Sequence, residues 1–433
     1  MSEMSTPITA PPELRSPGTR KSVKRRLLLL TLAALLARIA LILIFHTYQF
    51  SDIKNHYGFG FETGSIAASL ATGSGFASPF GVPSGPTTWI APVYPAMVAA
   101  AFRIFGLFSA AAAFWMLAFN SLCAALTVPV IFRIARRVFD ERSAEVSAWI
   151  WALVPFFMRW PVTWIWETAL SALLCAVVFA VSLELETAQW QAWAGLGVLW
   201  GAIALTSPSL LGFLPASLLY PAWKLRRSLG VALSRMLLAA VFFAVAITPW
   251  LARNQAVFHR PVFLRGNFWF EVSLSNFHTS SGEAWSGRHP ALNPRVLQHY
   301  IDVGELAFVA EAKAGVVEFI RAHPEEFAKL VAGRIANFWD GEELMYEPAD
   351  DLFRAWMVAL TSALALAGLA LAVNRHLDWG LFAWLFALFP LPYYLTYTNP
   401  RYRHPIEPVM VVLTGYFLVE LTRRLRRLRA GRV

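Results

Sequence analysis

Long apolar runs alternate with short polar loops along most of this chain. An apolar helix needs about 20 residues to cross the hydrocarbon core of a bilayer. The pattern therefore predicts an all-α, polytopic membrane bundle of about ten transmembrane helices. The predicted spans are residues 25–45, 110–135, 143–158, 167–185, 190–206, 210–223, 231–251, 352–373, 381–397 and 406–421.

The composition is typical of a membrane protein, and the positions of the charged residues argue against a nucleic-acid-binding protein. The chain of 433 residues is 57% hydrophobic and 15% charged, with 18 Trp and 33 Phe, which is more apolar surface than a soluble domain of this size can bury. A net charge of +10 could indicate a nucleic-acid partner, but the Lys and Arg residues stand in short loops beside apolar runs. Such loops report orientation in the bilayer, so we predict no nucleic-acid binding.

The basic loops predict the orientation. With the N-terminus inside, the clusters at 133–142, 224–227, 375–376 and 423–432 all face the cytoplasm, as the positive-inside rule demands. Both chain ends are then cytoplasmic, and residues 1–24 are expected to form a disordered tail. The predicted location is the cytoplasmic (inner) membrane.

The apolar run at 91–106 is short for a span and carries Arg103 near its end. We interpret it as a helix that lies in the outer interface, after a first such helix at 59–70. A true crossing is the alternative, but it would place the 133–142 cluster outside and break the charge rule.

The spans divide the rest of the chain into three parts. Residues 25–252 form an N-terminal transmembrane module whose outer loop, 46–109, is predicted to be catalytic. Residues 253–351 form an external region with helical spacing of apolar positions. Residues 352–433 form C-terminal transmembrane helices and a basic cytoplasmic tail.

The sequence identifies no particular metal site. Cys123 and Cys175 both fall inside apolar runs, which argues against a disulfide framework or a thiolate metal site. His404 is interpreted as a local hydrogen-bond partner because no second His stands at ligand spacing. The prediction names no required cofactor and leaves a divalent metal open.

Polar residues gather at the outer ends of the predicted spans. Glu62 stands at the start of the first interfacial helix. Charged residues are costly in a membrane protein and often mark a functional site. Glu167, Arg253, Arg401 and Arg403 are predicted to lie on the same face. A carboxylate can take the proton of an acceptor hydroxyl, and guanidinium groups can hold an anionic leaving group. The set therefore suits transfer from a phosphate-linked donor.

Aromatic residues beside these charges are candidates for substrate contact. Trp89 and Tyr94 follow Glu62 in the first outer loop, and Tyr402 stands between the two arginines. Stacking of Trp89 and Tyr94 on a sugar is the predicted role.

The charged candidates also have structural interpretations. Glu62 could cap its helix or pair with Lys54, and Glu167 could simply favour a helix N-terminus. Arg253 and Arg403 could extend to lipid headgroups without touching a substrate.

Three short motifs carry a resemblance that covers residues 25–421. They are the acidic loop with its Tyr94-Pro95 helix start, the element Pro249-Trp-Leu-Ala-Arg253-Asn254 and the segment from Arg401 to Pro408. The chain resembles bacterial polytopic glycosyltransferases of the GT-C fold, of the family 39 or dolichyl-phosphate-mannose mannosyltransferase-like kind. The resemblance implies a polyprenyl-phosphate-linked donor, an inverting transfer outside the cytoplasmic membrane and two interfacial helices in the first outer loop.

The acidic motif departs from that family. Relatives usually carry an Asp four residues before a Tyr, and counting back from Leu70 puts Gly58 at the Asp and Glu62 at the Tyr. Because residues four apart share a helix face, Glu62 is expected to present its carboxylate to the same cavity from one turn further along. Asp52 is the weaker substitute.

The sequence thus predicts a membrane glycosyltransferase that acts at the outer face. Glu62 is the expected general base, Arg401 and Arg403 clamp the donor phosphate, and Glu167 and Arg253 support them. The acceptor is a lipid, glycan or protein, and direct attack by the activated acceptor inverts the sugar. The alternative is a transporter or flippase of lipid-linked saccharides, which would need polar groups at mid-membrane depth and for which no internal repeat is seen.

Overall fold

The computed structural model describes residues 17–50, 58–278, 280–281, 286–341 and 348–430. Within these ranges the secondary structure is helical, apart from one isolated bridge between Ala77 and Pro86. The predicted all-α fold class is confirmed.

Among the described residues, 6 helices are long and apolar enough to cross a membrane. They are α1 (Pro17–Ile44), α4 (Ala110–Val138), α7 (Thr168–Glu184), α10 (Leu229–Phe258), α15 (Pro348–Asn374) and α19 (Glu407–Ala430). The chain is therefore a multi-pass membrane protein. Helix α1 begins inside the tail predicted at 1–24, and the rest of that tail lies outside the described residues.

Shorter helices occupy the other predicted spans, so the total of ten crossings stays a prediction. They are α5 (Glu141–Leu153), α6 (Pro155–Thr163), α8 (Trp190–Ala204), α9 (Leu214–Lys224), α16 (Gly380–Leu388) and α17 (Leu391–Leu395). The predicted span 143–158 is split because Val154 precedes a proline and adopts an extended conformation, with ψ of 120°.

The segment between α1 and α4 contains two packed helices. They are α2 (Phe61–Ala71) and α3 (Val93–Phe105), close to the predicted ranges 59–70 and 91–106. The Phe59 ring meets the rings of Phe102 and Phe108 edge-on, with centroids 5.0 and 5.5 Å apart. These contacts fix the start of α2, where Glu62 lies.

The region after α10 is also helical. Helix α10 extends to Phe258, beyond the boundary predicted at 252. The following helices are α11 (Phe268–Ser273), α12 (Pro294–Val303), α13 (Glu305–Ala322) and α14 (Pro324–Asp340). Val309, Val316, Phe319 and Phe338 are buried, which confirms the helical spacing predicted there.

Ion pairs join several basic loops. The pairs are Arg133–Glu184, Arg137–Glu186, Lys224–Asp378, Arg375–Glu420 and Arg423–Asp140. Loops that the positive-inside rule assigned to one side are thus in mutual contact. Which side of the membrane they face stays a prediction.

Candidate active site

A cavity of about 390 Å³ lies where the starts of α2, α3 and α7 meet two later segments, 263–271 and 392–405. The second of these includes the short helix α18 (Pro400–Arg403). The structure brings together five of the predicted site residues in the cavity wall, which are Glu62, Tyr94, Glu167, Arg401 and Tyr402.

Glu62 lies in the first turn of α2 and forms an ion pair with a histidine. Its Oε1 is 3.3 Å from His289 Nε2, and the two side chains are only 14% and 17% exposed. Burial raises the pKa of Glu62, but the hydrogen bond and charge of His289 outweigh burial and lower it. His289 Nδ1 lies 3.1 Å from the backbone nitrogen of Ala291, so the ring is oriented with Nε2 towards Glu62. Glu62 is held as a carboxylate.

Glu167 occupies the N-cap position of α7 without a side-chain capping bond. Burial raises its pKa, while the charges of Arg265 and Arg401 act in the opposite direction. The cavity therefore contains two carboxyl groups whose pKa values are shifted in opposite directions. When the pKa values of two carboxyl groups differ in this way, one group is suited to act as a base and the other as an acid.

A polar group that the sequence analysis missed forms the opposite wall. Arg265 Nε donates to the Trp89 carbonyl at 2.9 Å and to Asn267 Oδ1 at 2.6 Å, and its Nη2 lies 3.0 Å from Glu271 Oε1. Asn267 Nδ2 donates to the same Glu271 oxygen at 2.7 Å. Asn267 and Glu271 are local partners of Arg265, but the Trp89 carbonyl is 176 residues away in the chain and has no local signal.

Tyrosine hydroxyls connect this group to the C-terminal segment. Tyr397 donates to Glu271 Oε2 at 3.2 Å, and Tyr402 donates to the Tyr397 hydroxyl at 3.0 Å. The Tyr402 ring stacks on Tyr393, with centroids 4.8 Å apart. Neither Tyr393 nor Tyr397 was predicted as a site residue. The network holds Tyr402 in place at the cavity wall.

Arg401 is held mainly by aromatic faces. Its guanidinium carbon lies 4.0 Å from the Trp166 ring centroid and 5.3 Å from that of Trp164. Its Nη2 donates to the Tyr402 hydroxyl at 3.3 Å. Its buried Nε has no hydrogen-bond partner among the described residues. A guanidinium oriented in this way keeps donor capacity for an anion in the cavity.

Tyr94 lines the cavity, but its hydroxyl is already engaged. It donates to Asn120 Oδ1 at 3.0 Å, and Asn120 Nδ2 donates in turn to the Trp164 carbonyl at 3.0 Å. Only the ring of Tyr94 can therefore contact a substrate.

Arg253, predicted to support the site, does not line the cavity. Its guanidinium donates to the carbonyls of Phe76 and Thr87, each at 2.8 Å. Glu305 anchors the same loop by accepting hydrogen bonds from the hydroxyls of Thr87 and Thr88. Arg253 thus anchors the segment between α2 and α3.

Arg403, predicted to clamp phosphate, is also absent from the cavity wall. It is 1% exposed and donates to the Val358 carbonyl at 2.9 Å and to the hydroxyls of Thr361 and Ser362. The adjacent His404 lies 2.7 Å from Glu407 Oε2 through its Nδ1, which is the local hydrogen bond predicted for it. The Arg403 contacts attach α18 to α15.

Trp89, predicted to stack on a sugar, is 1% exposed. Its ring packs against Phe80 and Phe270, with centroids 4.9 and 4.8 Å apart. The ring belongs to the core of the outer region, and only the Trp89 carbonyl reaches the site, as an acceptor for Arg265.

The structure explains why position 58 carries no acidic residue. A Cβ at Gly58 would overlap the Phe50 ring, and α2 begins only at Phe61 after Gly60, whose φ is 64°. The expected common helix face of Gly58 and Glu62 is therefore not formed, although Glu62 does reach the cavity. Asp52 and Lys54 lie outside the described residues.

The side chains of the cavity decide whether it could bind a metal ion. No group of three His, Cys, Asp or Glu side chains at ligand spacing lies in the described part of the cavity. Glu62 and His289 form a two-ligand set there. Cys123 and Cys175 are buried free thiols in α4 and α7.

The sequence matches a known family over part of its length. Residues 88–252 match the family described as dolichyl-phosphate-mannose-protein mannosyltransferase. No curated protein sequence matches the chain.

A solved membrane enzyme shares the fold. The oligosaccharyltransferase of Archaeoglobus fulgidus, tethered with an acceptor peptide containing the NVT sequon, superposes with a TM-score of 0.51 at 14% identity, over 94% of this chain and 51% of that chain. ArnT from Cupriavidus metallidurans bound to undecaprenyl phosphate aligns with a TM-score of 0.36 at 16% identity, over 89% of this chain and 77% of that chain. The chain spans about half the length of the archaeal enzyme. The predicted GT-C-like fold is confirmed.

Proposed function

We propose that this chain, a GT-C-fold membrane protein related over residues 88–252 to the dolichyl-phosphate-mannose-protein mannosyltransferases, transfers a sugar from a polyprenyl-phosphate donor. One observation carries the proposal. The Glu62 carboxylate and the Arg401 guanidinium line the same cavity, and the guanidinium makes one hydrogen bond among the described residues, to the Tyr402 hydroxyl. A base and an unsatisfied anion-binding group are the parts that such a transfer requires.

The donor phosphate binds at Arg401 in this proposal. Stacking on Trp166 fixes the plane of the guanidinium, so its N–H groups can form parallel charge-assisted hydrogen bonds to phosphate oxygens.

The polyprenyl chain leaves the cavity along an apolar rim. Phe263 and Phe268 both line the cavity, yet they are 60% and 42% exposed. Exposed aromatic side chains at the mouth of a polar cavity suit a ligand whose head is charged and whose tail is hydrocarbon.

Glu62 acts as the base. It accepts the proton of the acceptor hydroxyl while the acceptor oxygen bonds to the anomeric carbon and the bond from that carbon to the phosphate oxygen breaks. The electron pair leaves with polyprenyl phosphate, whose added charge Arg401 stabilises. Because one carboxylate activates the acceptor and no glycosyl-enzyme forms, the anomeric centre inverts. Arg265 and Arg401 already act on Glu167 electrostatically, so its expected contribution is to balance their charge.

The phosphate assignment is tested by binding of undecaprenyl phosphate to the purified full chain in lipid nanodiscs. Arg401→Lys keeps the charge but loses the fork geometry, and we expect affinity to fall about tenfold or more. The exposed Arg260 supplies the matched control, since Arg260→Lys should bind as the parent does. Parent-like affinity in a folded Arg401→Lys protein would remove the phosphate site from the proposal.

A further inference from the structure

Three side chains that can bind metal converge on the surface, away from the cavity. They are His278, which follows α11, together with His323 and Glu326 at the start of α14. One ligand atom from each lies within 4.8 Å of the other two. None of the three lines the cavity, so the cluster is separate from the candidate active site.

Both imidazoles approach the same carboxylate oxygen. His278 Nδ1 is 3.2 Å and His323 Nδ1 is 3.9 Å from Glu326 Oε2. The two rings stack with centroids 4.9 Å apart and planes inclined by 19°. Ligand atoms around a tetrahedral Zn²⁺ lie about 3.3 Å apart, so displacements of about 1 Å would place all three around one ion.

The side chains are accessible to an ion. His278 is 69% exposed, His323 is 42% exposed and Glu326 is 30% exposed. Exposure also leaves room for a water molecule as the fourth ligand. Two imidazoles with one carboxylate form a donor set typical of Zn²⁺ and related divalent transition metals.

We propose that His278, His323 and Glu326 form a binding site for a divalent transition metal, with Zn²⁺ as the best-suited ion. The ion would join the segment after α11 to the first turn of α14. Helix α11 carries Glu271 of the cavity wall, so the site would stabilise an element that forms part of that wall. Binding requires neutral imidazoles and should weaken as the pH falls.

The chain supplies a matched control pair. His299 Nε2 lies 2.6 Å from Glu311 Oε2, and these side chains are 50% and 55% exposed. The pair has one imidazole and one carboxylate of similar exposure, but it belongs to no described group of three ligands.

The test is a Zn²⁺ titration of the purified, tag-free full chain against a chromophoric chelator. We expect His278→Ala and His323→Ala to weaken the tightest binding about tenfold or more, and His299→Ala and Glu62→Gln to leave it unchanged. Zn²⁺ should raise the melting temperature of the parent more than that of His323→Ala. Equal Zn²⁺ affinity in the parent and in both cluster variants, or loss of that affinity only in Glu62→Gln, would overturn the proposal.

Discussion

The neighbour of each buried carboxyl group decides its charge in the cavity. Glu62 and Glu167 are both shielded from water, which raises the pKa of a carboxyl group. Only Glu62 has a histidine in hydrogen-bonding distance, and that contact reverses the effect. His289 thus keeps the proposed base deprotonated and ready to accept a proton.

The pH profile of transfer should expose this dependence. In His289→Phe the hydrogen bond and charge are lost while the ring still packs against Phe80 and Phe270, so burial raises the pKa of Glu62. A base works only when deprotonated, so the acidic limb of kcat/KM should move to higher pH. His289→Gln can still donate a hydrogen bond and should shift the limb less. An acidic limb at the parent's pH in His289→Phe would show that Glu62 does not set it.

At the scale of helices, the sequence analysis predicted where helices lie better than which side of each helix faces the cavity. Glu62 was predictable because an acidic residue opens an apolar helix. Arg401 and Arg403 looked equivalent in sequence, but residues two apart on a helix point about 200° away from each other. One of them therefore faces the cavity and the other faces the bundle. Hydropathy does not determine this rotation, which depends on the packing of α19 against α15.

Residues that meet only through long-range contacts were not predictable. Arg265 lies in an irregular segment before α11, and its role depends on the Trp89 carbonyl and on Glu271. The same reasoning explains Arg253, whose partners Phe76 and Thr87 stand in a loop without regular spacing. The sequence analysis singled out Arg253 but not the atoms it binds, and it did not single out Arg265.

In the whole molecule, the cavity and the basic loops lie at opposite ends of the same helices. Helix α7 starts beside Glu167 in the cavity wall and ends at Glu184, which pairs with Arg133. Its 17 residues separate the two ends by about 25 Å. If the basic loops are cytoplasmic, the cavity opens near the outer interface, where the phosphate of a lipid-linked donor would lie.

Cysteine labelling tests this orientation. We expect an impermeant thiol reagent added outside to modify Ser281→Cys and to spare Arg142→Cys in intact cells, since both positions are exposed but belong to opposite ends of the bundle. The native Cys123 and Cys175 are buried and should stay silent. Permeabilised cells provide the control, because Arg142→Cys should then react. Labelling of Arg142→Cys alone in intact cells would reverse the orientation.

The central claim is that the cavity performs sugar transfer with Glu62 as base. The most direct measurement uses proteoliposomes supplied with lipid-linked sugars and acceptors extracted from membranes of a strain that lacks the gene. Mass spectrometry then follows the conversion of polyprenyl-phosphate sugar to polyprenyl phosphate and glycosylated acceptor. The parent should show this conversion, and Glu62→Gln should slow it on the order of 10²–10⁴-fold while still binding undecaprenyl phosphate. Equal conversion by the parent and Glu62→Gln, or movement of intact lipid-linked sugar across the bilayer without conversion, would contradict the account.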